Sequence, residues 1–197
     1  MLDYIASAMI FGVLVLAVAR VQTNINATLF QNTFTVTTQQ NAVELARQIE
    51  FDFLKIGHHV RGQRITYAGE QRLEYRADET NSMDTVVYRY VAGTILQNTE
   101  TPNPQDFPLF RVQDGNVLQQ NFGLVDFHIS YFDSVNVQIG VPAILADTLA
   151  KIRGIIVRFT AASPEPVLTP DGDTTYSVVT WQKLMFPRNL NQLNLND

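Results

Sequence analysis

Residues 4–19, YIASAMIFGVLVLAVA, are apolar on every side of a helix. A bilayer crossing needs about 20 such residues, a length that residues 1–19 just reach. The next stretch, residues 21–43, carries no charge, is rich in Thr, Asn and Gln, and contains no Pro or Gly. An ordinary anchor would meet charged, water-facing sequence at once. This neutral stretch fits a long helix that lies half in lipid and can be buried along its length against copies of itself. Beyond it, Ala42, Leu45, Ala46, Ile49, Phe53 and Ile56 recur at helical spacing, with Glu44, Arg47, Gln48, Asp52 and Lys55 between them. Gly57 is a natural stop, because a helix often ends with glycine in the left-handed conformation. One helix over residues 1–56 is expected, roughly 80 Å long at 1.5 Å per residue. Its weak point is the β-branched run over residues 33–38, since such side chains lose rotamer freedom in a helix. Fraying or a bend is expected between residues 28 and 38.

After Gly57 the period changes from helical to alternating. Short strands are expected over residues 64–67 and 73–76, then over 85–91 with Val86, Tyr88 and Tyr90 on one face, and over 94–97. Residues 101–108 hold three prolines and read as a loop. Strands over 110–113 and 117–119 flank Asp114-Gly115, a hairpin signal. Residues 124–133 alternate, with Val125, Phe127, Ile129 and Tyr131 on one face and Asp126, His128 and Ser130 on the other. Residues 141–150 suggest a helical turn, 152–161 an apolar strand, 163–170 a second proline loop and 175–186 a last strand. This is an α+β arrangement: a long amino-terminal helix packed by its second half on an antiparallel sheet. The expected organisation is a helix over 1–56, divided into a membrane or assembly half over 1–40 and a sheet-packing half over 41–56. A β-rich domain over 57–190 and a tail over 191–197 follow.

Charge sharpens this division. The first 43 residues carry one side-chain cation, Arg20, and one anion, Asp3. Charged residues make up 17% of the chain, against about 25% in soluble proteins, and much of the deficit lies there. A net charge of −5 argues against nucleic acid as a partner. The chain has no cysteine, which excludes disulfides and thiolate-ligated metals. The amino terminus admits three readings. One is a signal peptide ending at Ala17-Val18-Ala19, which the missing basic residues and Asp3 oppose. The others are an uncleaved anchor and a mature sequence whose basic leader has been removed.

Candidate chemistry adds little. His58 and His59 are adjacent and make a poor chelate, and no third ligand accompanies them. Asp171-Gly172-Asp173 offers two carboxylates, too few for calcium and common in turns. Asp126, His128 and Ser130 have the letters of a catalytic triad. Alternate residues on one strand stand about 6.5–7 Å apart, too far for a relay. No phosphate loop or zinc spacing is present. Neither catalytic residues nor a cofactor are expected.

A long helix, apolar in its first half and carrying an antiparallel sheet, resembles a type IV pilin. The carboxyl-terminal part resembles J-type minor pseudopilins of type II secretion and related minor pilins more closely. The residues that carry this are LVDFHISYFD at 124–133, AKIRGIIVRFT at 150–160, and Trp181 followed by Phe186-Pro187-Arg188-Asn189-Leu190, in that order. The resemblance implies a non-enzymatic subunit of a type IV pilus or type II secretion filament. It would be held in the bacterial inner membrane with its β domain in the periplasm before assembly into a periplasmic or extracellular filament. Its partners would be other pilin or pseudopilin subunits, met through the helix. Two family features are missing: the leader, and the glutamate a few residues into the mature helix. Asp3 is the only acid nearby, so Met1 and Asp3 stand as the assembly residues the resemblance implies. The alternative is a bitopic inner-membrane protein with an uncleaved anchor and a periplasmic β-rich binding domain.

Overall fold

The computed structural model describes residues 2–78, 86–93, 101–168 and 173–190. The expected strand over 94–97, the tail over 191–197, and most of the Asp171-Gly172-Asp173 turn lie outside these residues, as does Met1.

The molecule is a long amino-terminal helix packed on a curled antiparallel sheet. Helix α1, Leu2–Leu54, runs for 53 residues. The expected fraying over 28–38 does not occur; helical geometry is unbroken there. The threonines that make this segment a poor helix former nonetheless place their hydroxyls within it. Thr23, Thr28, Thr33, Thr35 and Thr38 each donate a hydroxyl bond to the carbonyl four residues earlier, at 2.8–2.9 Å. Their polar groups are thus satisfied within the helix, without water. The helix ends two residues short of Ile56 by tightening. Lys55 N and Ile56 N bond to Asp52 O and Phe53 O, three residues back, at 3.2 Å. Gly57, at φ 74°, then turns the chain away.

The strands are β1 (Ile65–Ala68), β2 (Arg72–Ala77), β3 (Val86–Ala92), β4 (Phe107–Gln113), β5 (Asn116–Phe132), β6 (Gln138–Ile139), β7 (Gly154–Ala162), β8 (Val167–Leu168), β9 (Thr174–Thr175) and β10 (Val178–Met185). The four-residue helix α2 (Ala146–Leu149) precedes β7. The main sheet follows the order β1-β2-β3-β4-β5-β7-β10, with β6 beside β5, while β8 and β9 pair separately. All pairings are antiparallel.

Strand β5 causes the curl. The expected separate strands over 117–119 and 124–133 are one strand of 17 residues. Its first half pairs with β4 and its second with β7. Asp114 and Gly115, at φ 48° and 82°, form the tight β4–β5 turn. The register against β4 breaks between Phe107 and Leu109, around Pro108, which has no N–H to give to a ladder. The expected loop over 101–108 therefore ends early, at Phe107. The register against β7 breaks between Leu124 and Asp126. This break corrects the expected face: Leu124 joins Phe127, Ile129 and Tyr131 in the core, and Val125 is only half-buried. The β1–β2 turn folds back onto the second half of β5, where Ile129 N donates to Glu70 O at 2.7 Å and Tyr131 Oη to Gly69 O at 2.9 Å.

Inside the curl lies the end of α1. Ala42, Leu45, Ala46, Ile49, Phe53 and Ile56 are buried with Leu73, Tyr75, Tyr88, Tyr90, Phe127, Ile129, Tyr131, Ile155, Val157 and Phe159. Phe53 sits at the centre, edge-on to Tyr90 at 5.4 Å and to Tyr75 at 6.2 Å between ring centroids. Contact with the domain starts upstream of residue 41: Thr38 is buried, and Thr35 Oγ1 lies 3.2 Å from Ser177 Oγ.

Candidate functional site

Among the described residues, the apolar first half of α1 packs on nothing. No residue in its apolar window is buried, and Tyr4, Met9, Phe11, Val13 and Leu16 are more than half exposed. The helix is long and apolar enough to cross a membrane. Exposure of this kind is costly in water and favourable in lipid or against other apolar helices. Arg20 closes the apolar run, where a long cationic side chain can reach the interface. Exposed apolar side chains continue past it at Ile25, Leu29, Phe30, Val36 and Val43, and reach Phe51 and Leu54 beside the domain.

Asp3 lies in the first turn of α1 with its side chain exposed. A carboxylate there complements the positive end of the helix dipole. Among the described residues it forms no ion pair. The structure therefore places Asp3 at the tip of the projecting helix and the sheet-packing residues from Ala42 to Ile56 at its other end. It does not bring the two sets together.

Asp52 departs most from expectation. The helical pattern puts it on the solvated face with Glu44 and Lys55, yet it is 1% exposed. It faces the sheet. Arg111 on β4 grips it with two bonds, Nε to Oδ2 at 2.6 Å and Nη2 to Oδ1 at 3.2 Å, while the Tyr90 hydroxyl donates to Oδ2. Tyr75 Oη donates to the Asp52 carbonyl at 3.1 Å. One turn earlier, Gln48 exchanges a pair of 2.9 Å amide bonds with Gln120 on β5 and also donates to Tyr90 Oη at 3.3 Å. Burial pushes the Tyr90 and Tyr75 hydroxyls upward, and the nearby Asp52 charge adds to this, so both stay protonated. The hydrogen bonds it donates to Asp52, with the carboxylate's charge, hold the Arg111 guanidinium above its usual range. These contacts fix the rotation and register of α1 against the sheet. A sequence signal existed: tyrosines at alternate positions of neighbouring strands bring hydroxyls into the core, and such hydroxyls require an acceptor.

The other candidates are separated by the fold. His128 Nδ1 is 3.0 Å from Glu70, and Asp126 pairs with Arg158 at 3.3 Å, so Asp126 and His128 are drawn to different partners. His58 Nδ1 lies 2.9 Å from Asp78 O, and its ring stacks on His59 at 4.0 Å. Among the described residues no three metal-ligating side chains converge. Comparison of the chain with protein-family models, with curated proteins and with solved structures gives no match.

Proposed function

We propose that this protein is a non-enzymatic, pilin-like subunit, a minor pilin or pseudopilin of a type IV pilus or type II secretion filament. The carrying observation is the continuity of α1. A single helix is wholly exposed and apolar at one end and forms the centre of a folded domain at the other. The first half holds the subunit in the inner membrane, with the sheet domain in the periplasm. Assembly exchanges lipid contacts for contacts with the helices of neighbouring subunits. The back-bonded threonines support this exchange, because hydroxyls satisfied internally can leave water without being stranded.

The chain's lack of cysteine makes a direct test simple. Leu14→Cys and Ile25→Cys variants, expressed in cells that assemble the filament, are expected to form crosslinked ladders on oxidation. If the thiol of the Leu14→Cys variant is shielded from aqueous reagents but crosslinks to nothing, the helix is a bitopic anchor and the filament reading is refuted. If that thiol stays open to those reagents throughout, membrane insertion is refuted.

A further inference from the structure

The two ends of the sheet are protected unequally. Strand β1 is four residues long, and its register against β2 breaks between Ile65 and Tyr67. The segment around Ala143 bridges its outer edge: Ala68 N donates to Ala143 O at 3.1 Å and Ala143 N to Ala68 O at 2.7 Å. Shortness, irregularity and a covering segment are means of stopping an edge from pairing with another chain. Strand β10 has none of them. It is eight residues long, VVTWQKLM, contains no proline, and pairs with β7 at eight successive positions without a shift. Among the described residues no backbone group of β10 is hydrogen-bonded on the side away from β7. Its one charged side chain, Lys183, is turned to Glu50 of α1 at 2.7 Å and does not guard the edge.

We propose that the outer edge of β10 docks an extended strand of a partner polypeptide, which continues the sheet. The edge chemistry specifies the occupant, since a row of alternating N–H and C=O groups is matched along its length by another extended backbone. The added strand's side chains alternate between a row beside Val179 and Trp181, which are half-buried against the core, and a row beside Thr180 and Gln182, which are exposed. An uncharged segment with apolar residues at every second position fits both.

The occupant is a different chain, not a second copy paired antiparallel through the same edge. Strand β10 runs in the same direction as α1: Ser177 lies by Thr35, Lys183 by Glu50, and Asn189 Nδ2 donates to Ile56 O at 3.3 Å. Antiparallel pairing of two copies through this edge would point their α1 helices in opposite directions, and both apolar halves could not enter one membrane. This choice of partner rests on the membrane reading above; strand addition itself does not.

The test uses the full chain in detergent micelles and a synthetic peptide, VVTWQKLM, which has no helix to orient. Two N-methylated forms of the peptide carry methyl groups on complementary sets of alternate residues. Saturable binding is expected, with exchange slowed at least tenfold at the alternate amides of residues 178–185 that point away from β7. One methylated form should bind like the parent, and the other at least tenfold more weakly, because only one edge of an added strand faces β10. Equal binding of both forms, no saturable binding, or protection in the free monomeric chain of the alternate β10 amides that point away from β7 would overturn strand addition. A micellar dimer with those amides protected would overturn the choice of a different chain as partner. A full chain that is monodisperse in water without detergent would remove the membrane reading and leave the peptide result standing.

Discussion

Asp52 is a carboxylate inside an aromatic core, held by an arginine and a tyrosine. A buried ion pair gives little net stability over an apolar pair of the same size, but breaking it strands a charge. Arg111→Met is therefore expected to cost about 3–5 kcal/mol, the usual result of removing one partner of such a pair. The double variant Asp52→Leu/Arg111→Met should be clearly less destabilised than that single variant. Denaturant melts of the set check this; a double variant as unstable as the sum of both singles would show that the two groups do not act as a pair. Asp106 gives a second test. It is 1% exposed, and burial raises its carboxyl above the ordinary range, with a smaller opposing effect from the Thr101 hydroxyl that donates to it. A raised folded-state value means that the native protein holds this proton to higher pH than the unfolded chain does. Its contribution is most favourable below the unfolded value of about 3.9 and declines as pH rises through the folded value. Asp106→Asn keeps an acceptor for Thr101 and never ionises. Its stability relative to the wild type should rise between pH 4 and pH 7, as read from paired melts; a constant difference across that range would rule out an ionisation penalty at Asp106.

At the scale of the element, α1 is two helices in one. On its domain half, Phe53 is fully buried and Glu44 is exposed. Phe53→Ala is expected to cost about 3–5 kcal/mol, as for other buried aromatics. Glu44→Ala should change stability by no more than about 0.5 kcal/mol. If melts found the two equally mild, the stripe would be a subunit contact and not a core. The boundary between the halves is also open to measurement. Because Thr38 is buried and Thr35 meets Ser177, a chain starting at residue 31 should be soluble, folded and more stable to heat than one starting at residue 41. Equal melting of the two would mean that the turns around Thr35 and Thr38 contribute nothing to the domain.

At the scale of the whole molecule, a domain sits at one end of a helix of roughly 80 Å, with Asp3 at the far tip. An unpaired carboxylate is expensive within a membrane, so a buried Asp3 needs a cation. In the proposed filament that cation is the amino terminus of a neighbouring subunit, in the role the pilin resemblance implies for Met1 and Asp3. Asp3→Ala should leave the protein in the membrane fraction but abolish its recovery in sheared filaments or crosslinked ladders. Normal assembly of the variant would remove Asp3 from the mechanism.

The sequence alone determined the parts of this protein that depend on local period. The change from helical to alternating spacing at Gly57 marks the end of α1. The neutral run marks the projecting part, although its last turns, from Thr35 on, already meet the domain, and the recurrence of Ala42, Leu45, Ala46, Ile49, Phe53 and Ile56 marks the buried stripe. Asp114-Gly115 marks a hairpin because few other dipeptides adopt two successive positive φ angles. Tertiary structure decided what depends on contacts distant in sequence. Helical spacing sorts residues by face but does not say how far a sheet wraps around that helix; the curl reaches Asp52, which period alone left in solvent. Alternation on β5 was legible, yet the register break beside Leu124 is imposed by pairing with two different strands, so Leu124 and not Val125 entered the core. The threonine run read as weak because propensity counts lost rotamers, whereas the folded helix returns the hydroxyls of Thr28, Thr33, Thr35 and Thr38 to carbonyls. The unguarded edge of β10 could be recognised only once strand order was known, since no local pattern distinguishes an edge strand from the strand beside it.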